Sequence, residues 1–254
     1  MHALPTPRFK PVPTYDEVIE RLIPEVEYHQ NRYARGLAEL VQSGSRWLDI
    51  GAGTRPHAGW KGVSAEELGR RADLAVGCDL MESHLRQNKS LHVMAVADAG
   101  RLPFSDGSFD LVTANMVVEH LENPRSVFDE VARVLVPGGH FAFVTPNRSN
   151  PAVFVASIVL SRQVRRRVAQ LVERRDPEHI FHTYYRANTP SSVRAASLPA
   201  GFSVKEIDLF NSFPMARRPW PVTALESVWI KAISRRGLRR LTSNMYAVLR
   251  KDSA

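Results

Sequence analysis

Cysteine is almost missing from this chain: Cys78 stands alone among 254 residues. A lone thiol cannot build an intramolecular disulfide framework or a multi-cysteine zinc site, and it fits a reducing compartment. Long apolar runs are missing as well. The longest, residues 151–160, is roughly half of what a bilayer span of ~20 residues needs. Residues 1–14 are polar and dotted with proline, without the apolar centre of a signal peptide, so a cytoplasmic protein is expected. No stretch repeats internally, which sets aside solenoids and propellers. Acidic residues are outnumbered, 26 against 34 basic ones, for a net charge of +8. Such a chain is drawn to anions, whether nucleic acid, lipid headgroups or an acidic substrate, and composition does not choose among them. With 44% hydrophobic and 24% charged residues, the chain can bury one large core, so a single domain over 1–254 is expected.

What the sequence does contain is organised around residues 46–56, Arg-Trp-Leu-Asp-Ile-Gly-Ala-Gly-Thr-Arg-Pro, where a short apolar strand runs into a turn holding two glycines. Without a Cβ, Gly51 and Gly53 let the backbone bend sharply and approach a ligand closely. A two-glycine turn after a strand is often only a turn, so the surrounding pattern has to decide. Ahead of it, Val18, Ile19, Leu22 and Ile23, then Tyr33, Leu37, Leu40 and Val41, recur at helical spacing with an interruption at Pro24, which predicts two helices. Behind it, Ser64-Ala-Glu-Glu67 has the spacing of a capping box and opens a short helix to about Ala72. Residues 74–79 read as a second strand, 93–97 as a third and 109–114 as a fourth, the last preceded by the turn formers Ser105-Asp-Gly-Ser108. Pro124 suits a helix start. Val127, Phe128, Val131, Val134 and Leu135 give that helix one apolar stripe, and Pro137-Gly-Gly139 is expected to end it before a fifth strand over 140–145. This alternation implies parallel strands joined by right-handed crossovers, hence an open α/β sheet with helices on both faces.

The last third reads differently. Residues 152–175 are apolar first and then heavily basic, residues 177–189 carry His179, His182, Tyr184 and Tyr185, and 201–210 and 244–251 look like strands around a basic helical segment over 220–241. The arginine clusters 165–167, 174–175, 235–236 and 239–240 are most simply a solvated helix face. Yet they adjoin apolar stretches, 153–160 and 220–233, and that pairing suits a peripheral helix resting on anionic lipid.

Five elements in order, Asp49-Ile-Gly-Ala-Gly53, Cys78-Asp79, Val96-Ala-Asp98, Leu102-Pro-Phe-Ser-Asp-Gly-Ser-Phe-Asp110 and Arg133-Val-Leu-Val-Pro-Gly-Gly139, resemble the class I S-adenosylmethionine (SAM) methyltransferases. They look most like the small-molecule branch that contains the ubiquinone- and menaquinone-pathway enzymes. The resemblance implies a Rossmann-like seven-stranded sheet with an antiparallel last strand and a helical insertion after strand five. It divides the chain into an N-terminal helical cap (1–45), a SAM-binding core (46–147), a helical insertion or substrate cover (148–200) and C-terminal strands with a basic helix (201–254). In an open parallel sheet, ligands sit beyond the carboxyl ends of the strands at the switch in strand order, where Asp49, Asp79, Asp98 and Asn115 would converge. With SAM as the cofactor, the backbone of Gly51, Ala52 and Gly53 would meet its methionine part. Asp79 would accept both ribose hydroxyls, because a carboxylate offers two oxygens to two donors. Asp98 would receive the adenine amino group beside the Ala99 amide, Leu80 and Met81 would lie against the purine, and Asn115 and Met116 complete the set.

Two positions depart from the family. Arg55 followed by Pro56 stands where the third glycine of the turn is common, with Gly59-Trp-Lys-Gly62 after it. In Met116-Val-Val-Glu119-His120, similar quinone-pathway O-methyltransferases carry a glutamate in place of Met116 and hold a divalent metal. A thioether is a poor substitute for an oxygen ligand to magnesium, so no metal site is expected.

Methyl transfer from a sulfonium is an in-line displacement, so the protein supplies positioning and, for a hydroxyl acceptor, a base. His120 is the candidate base, with local hydrogen bonding as its competing role. His179, His182, Tyr184 and Tyr185 lie where related enzymes place a flexible substrate cover, with aromatic packing as their competing role, and Asn147, just past the fifth strand, would also face the pocket; Asn147, His182, Tyr184 and Tyr185 are the candidate substrate residues. The expected activity is SAM-dependent methylation, oxygen favoured, of a small hydrophobic or lipid-linked acceptor, with an anionic membrane surface as a further partner. Two other readings stay open. An RNA methyltransferase would suit the basic charge, against the missing Asn-Pro-Pro-Tyr-like signature and RNA-binding module, so nucleic acid is not the expected partner. A non-catalytic SAM-fold partner or scaffold would suit the altered turn at Arg55.

Overall fold

Trp47, Leu48 and Ile50 are all buried, although alternate residues of a strand point to opposite sides. A strand buried on both faces belongs at the centre of a parallel sheet covered by helices. The computed structural model, which describes residues 28–58, 62–159, 181–212 and 220–253 together with Ile23 and Val26, has it there. Strands β1 (Arg46–Ile50), β2 (Leu74–Asp79), β3 (Val93–Val96), β4 (Phe109–Asn115), β5 (Leu135–Pro146), β6 (Phe202–Phe210) and β7 (Asn244–Lys251) form one seven-stranded sheet in the order β3-β2-β1-β4-β5-β7-β6. β1 to β5 pair in parallel, and β7 lies antiparallel between β5 and β6. This is the Rossmann-like α/β sheet the sequence led us to expect, antiparallel last strand included.

Helices α1 (His29–Leu40), α2 (Ala65–Arg71), α3 (Glu82–Leu85), α4 (Pro124–Val134), α5 (Pro151–Val159), α6 (Pro190–Ser197) and α7 (Trp220–Ile233) surround it. α1 and α2 press Tyr33, Leu37 and Leu68 onto the face that carries Trp47 and Ala75. α4 and α6 press Phe128, Val131 and Val193 onto the face that carries Leu48 and Phe141. The helix starts follow from local chemistry. Ser64 accepts from the Glu67 N–H at 3.1 Å, and Pro124 and Pro190 occupy first-turn positions where a missing N–H costs nothing. Near the end of α4, Arg133 donates to Glu130, to the carbonyls of Leu102 and Phe104, and to Asp106. Residues 102–106, part of the Leu102-to-Asp110 motif, are therefore clamped to α4.

One boundary differs from expectation. β5 begins at Leu135, directly after α4, and runs through Pro137-Gly-Gly139 instead of starting at 140. The β4–β5 register shifts between Phe109 and Leu111, so the proline and glycines form a bulge and not a break. A Cβ on Gly139 would stand 3.0 Å from the Val136 carbonyl oxygen and 3.1 Å from that of Asp110, which explains why the bulge takes glycine. The basic segment 220–241 is α7 followed by a 3-10 segment, Arg236–Leu241. The first expected helix (Val18, Ile19, Leu22), the arginines at 165–167 and 174–175, His179 and residues 59–61 lie outside the described residues. No described helix is long and apolar enough to cross a membrane.

Phe128 joins α4 to the sheet, with ring centroids 5.5 Å from Phe141, 6.2 Å from Phe143 and 6.5 Å from Phe202. Phe128→Ala should cost about 3–5 kcal/mol, read as a lower urea midpoint at unchanged slope. A loss below about 1 kcal/mol would show that this aromatic cluster does not hold the second face.

Candidate active site

Strand order reverses between β1 and β4, and beyond their carboxyl ends lies a cavity of about 820 Å³, within the roughly 300–1,000 Å³ of small-molecule sites. β1 enters it through Gly51 (φ +66°) and Gly53 (φ +50°), both in the left-handed region. A Cβ on Gly51 would meet Val117 Cγ2 at 2.3 Å, so only glycine lets this turn pack against the chain leaving β4. Asn88, buried, donates to the carbonyls of Ala52 and Gly53, both at 3.3 Å. Gln30 of α1 and Asn115 of β4 exchange side-chain hydrogen bonds of 2.9 and 2.7 Å. Gln30 also accepts from the Ala58 N–H, and Asn115 donates to the Pro56 carbonyl at 2.8 Å. The Arg55-Pro56 departure is thereby tied to the sheet.

Asp79 ends β2 with its carboxylate accepting from the amides of Gly53 at 3.0 Å and Met81 at 2.8 Å. A carboxylate has about four lone-pair sites, so two remain after these bonds have fixed its orientation. Asp98 accepts from the Gly100 N–H at 2.8 Å through one oxygen. Asp79, Leu80, Asp98 and Ala99 all line the cavity, as do Gly51, Gly53, Asn115 and Met116.

Three members of the expected cofactor set do not line the cavity. Ala52 is buried, its N–H donating to the Cys78 carbonyl. Met81 meets Asp79 through its backbone and caps α3. Asp49 is buried one layer below, accepting from the Thr113 hydroxyl, which in turn accepts from Trp47 Nε1 at 2.7 Å. Burial pushes its carboxyl up to about 8, with the Thr113 hydrogen bond opposing and the Asp79 charge adding to the rise. The convergence of four polar residues thus reduces to Asp79, Asp98 and Asn115.

His120 ends a 3-10 turn, Val118–His120, and lines the cavity. Its Nδ1 lies 2.8 Å from the His182 carbonyl, its ring packs on Phe181 at 5.9 Å, and its Nε2 lies 3.9 Å from Glu119 Oε1. Glu119 is buried and turned inward, accepting from Thr145 Oγ1 at 2.8 Å, and Asn188 donates to the same hydroxyl. His182 and Tyr184 line the cavity with ring centroids 4.4 Å apart. Tyr185 does not line it; its amide and that of Tyr184 donate to the Glu119 carbonyl. Asn147, expected to face the pocket, is a correction: it is fully buried and donates to the carbonyls of Arg240 and Thr242 at 2.9 and 2.8 Å. It stitches the end of β5 to the chain entering β7. Gln30, Asn88 and Phe181 were not singled out from the sequence, and no local spacing marks them. Among the described residues no group of three or more His, Cys, Asp or Glu could hold a metal ion.

Residues 48–143 match the methyltransferase domain family. The ubiquinone biosynthesis O-methyltransferase of Psychrobacter arcticus is 26% identical over 78% of this chain and 74% of its own length, and that of Acinetobacter baylyi is 26% identical over 75% and 74%. Among solved structures, a SAM-dependent methyltransferase from Mesorhizobium loti superposes with a TM-score of 0.57 at 19% identity, covering 87% of this chain and 96% of its own. A second, from Methanosarcina mazei, gives 0.54 at 16% identity over 86% and 97%. The fold is that of class I methyltransferases, and these matches support a SAM-dependent enzyme with SAM as its cofactor.

Asp49 carries a pH signature. Its folded value of about 8 exceeds the ordinary 3.8, so the native state keeps a proton that the unfolded state releases. The associated stability is complete below about pH 4, falls as pH rises through about 8, and then levels off. Asp49→Asn keeps an acceptor for Thr113 and removes the titration. Urea unfolding at about pH 5 and about pH 8 should show wild type losing stability relative to the variant; parallel behaviour would refute a buried, protonated Asp49.

Proposed function

We propose that the chain methylates a hydroxyl oxygen of a small hydrophobic or lipid-linked acceptor, with the cofactor and acceptor meeting at His120. The observation that carries this reading is the meeting, in one cavity, of a carboxylate oriented by two amides and a histidine fixed at one nitrogen. The residues suit SAM. The turn leaves its backbone open at Gly53, where the nearest atom to an added Cβ is the Gly51 carbonyl oxygen at 4.0 Å. Asp79 has acceptor sites left for two ribose hydroxyls, and Asp98 has an oxygen beside the Ala99 amide for the edge of a purine, with exposed Leu80 beneath. When bound, SAM supplies a methyl group already activated as a sulfonium, so the protein needs only to position the acceptor and take its proton.

His120 can do the second. A carbonyl only accepts, so the hydrogen bond to His182 puts the proton on Nδ1 and leaves the lone pair of the neutral ring on Nε2. Nε2 takes the hydroxyl proton as the oxygen–methyl bond forms, with Glu119 Oε1 3.9 Å away. His182, Tyr184 and Phe181 offer the aromatic edge for the acceptor. Asn147 and Tyr185 support this arrangement from behind. Glu119 is engaged by Thr145, and Met116 offers sulfur where an oxygen ligand would be needed, so the reaction is metal-independent. The relatives named as O-methyltransferases support oxygen as the acceptor atom and a small molecule as its carrier.

Calorimetric titration with S-adenosylhomocysteine tests the cofactor half. Loss of two charge-assisted hydrogen bonds at about 1.5–3 kcal/mol each predicts at least a hundredfold weaker binding in Asp79→Ala, with the fold checked by melting. No binding by wild type in the millimolar range would sink the reading. His120→Ala should keep that affinity while turnover falls about 10²–10⁴-fold, and a chelator should leave turnover unchanged.

A further inference from the structure

Helix α7 has two apolar sides. Ser227, Ile230 and Ile233 face inward, Ile230 against Ile23 and Val26. On the opposite side Leu225, Val228 and Trp229, 73%, 62% and 47% exposed, form a stripe at i, i+3 and i+4, where a surface helix ordinarily carries charge. Lys231 flanks this stripe, and Arg235, Arg239 and Arg240 follow it, all exposed. Arg239 has only a 3.7 Å approach to Asp208 across a half-open surface.

A second exposed apolar pair, Phe154 and Val155, lies on α5. The segments that carry the two patches are joined at their ends. Asn150, immediately ahead of α5, donates to the Leu241 carbonyl at 2.7 Å, and Asn147 donates to Arg240 and Thr242. The end of β5 pairs with the start of β7, Pro146 opposite Asn244, so both patches flank the carboxyl rim of the sheet. The cavity lies beyond the same rim, with exposed Phe181 in its wall.

We propose that this rim docks on an anionic lipid surface. Leu225, Val228, Trp229, Phe154 and Val155 enter the boundary between headgroups and acyl chains, while Lys231, Arg235, Arg239 and Arg240 meet phosphates. Charge and apolar stripe together select this partner: nucleic acid would use the arginines without the aliphatic side chains, and a second copy of the chain would bury the stripe without needing the cations. Docking deepens the function proposed above, because it turns the cavity toward the layer where a lipid-linked acceptor resides, and it rests on that reading for its purpose though not for its geometry.

Cosedimentation of the full chain with phosphatidylcholine vesicles, with and without phosphatidylglycerol, tests it. Binding should rise with phosphatidylglycerol and fall with salt as the screening length drops below about 10 Å. Each basic residue near the surface is worth about fivefold in partitioning, so Arg235→Glu/Arg240→Glu should lower it by tenfold or more. Leu225→Ser/Trp229→Ser should lower it at least fivefold, with melting temperature and S-adenosylhomocysteine affinity unchanged in both variants. No wild-type binding at low salt overturns the proposal. Binding that ignores the apolar substitutions and is matched on heparin overturns it in favour of a polyanion. A concentration-dependent dimer abolished by Leu225→Ser/Trp229→Ser, without vesicle binding, overturns it in favour of self-association. Vesicle binding by a chain that fails to bind S-adenosylhomocysteine would support docking and remove the methyl-transfer site.

Discussion

Parallel pairing of β1 with β4 makes two chains leave the sheet side by side at the same level, and the space between them admits no side chain at position 51. That crowding governs the rest. β1 must turn with φ +66° at Gly51, the Gly53 amide then points at Asp79 one strand over, and the chain after Asn115 bends into the turn that ends at His120. Gln30 and Asn88 fasten the same turn from α1 and from the segment before β3. A cavity built this way is stiff before any ligand arrives, and stiffness lowers what binding must spend on ordering.

Beneath the cavity floor lie buried polar groups that never reach it. Trp47, Thr113 and Asp49 form a chain of donors and acceptors across β1 and β4, and Asn188, Thr145 and Glu119 form another across β5. An ionised carboxylate in the first position would be costly unless paired with a cation. A carboxyl pushed up to about 8 stays protonated near neutrality, keeping its hydrogen bond to Thr113 without an unpaired charge. The polar layer fixes strand positions, and the layer above it can then be spent on ligands.

The fold was legible because its signals are periodic and local: strand runs, caps at Ser64 and Pro124, and a repeated alternation that allows few topologies. The Pro137-Gly-Gly139 boundary was misread because those residues mark any departure from regular backbone, and a bulge inside a strand uses the same chemistry as a break. Asp79, Asp98 and His120 were legible because strand ends face the crevice. Asn147 sits at such an end too, but which way its side chain turns depends on carbonyls of residues 240 and 242, nearly a hundred positions away. Gln30 and Asn88 were invisible for the same reason. Asn88 meets carbonyls of the turn, and Gln30 meets the Asn115 side chain and the Ala58 amide, partners that only the folded chain brings near.

The segment around His120 is held by two residues in uncommon backbone conformations. Among the described residues, Met116 and Tyr185 are the non-glycine residues with positive φ, +56° and +53°, each a conformation that costs of order 1 kcal/mol or more unless its surroundings fix it. They are fixed. The Met116 N–H donates to the Val144 carbonyl, and the Tyr185 N–H donates to the Glu119 carbonyl. The two strained residues therefore bracket Glu119 and His120, one from the end of β4 and one from the segment that carries His182. Glu119 is drawn inward to Thr145, while His120 is held at Nδ1 by the His182 carbonyl. A mount anchored at both ends suits methyl transfer, which asks the protein chiefly for position, a task that gains nothing from a side chain free to move.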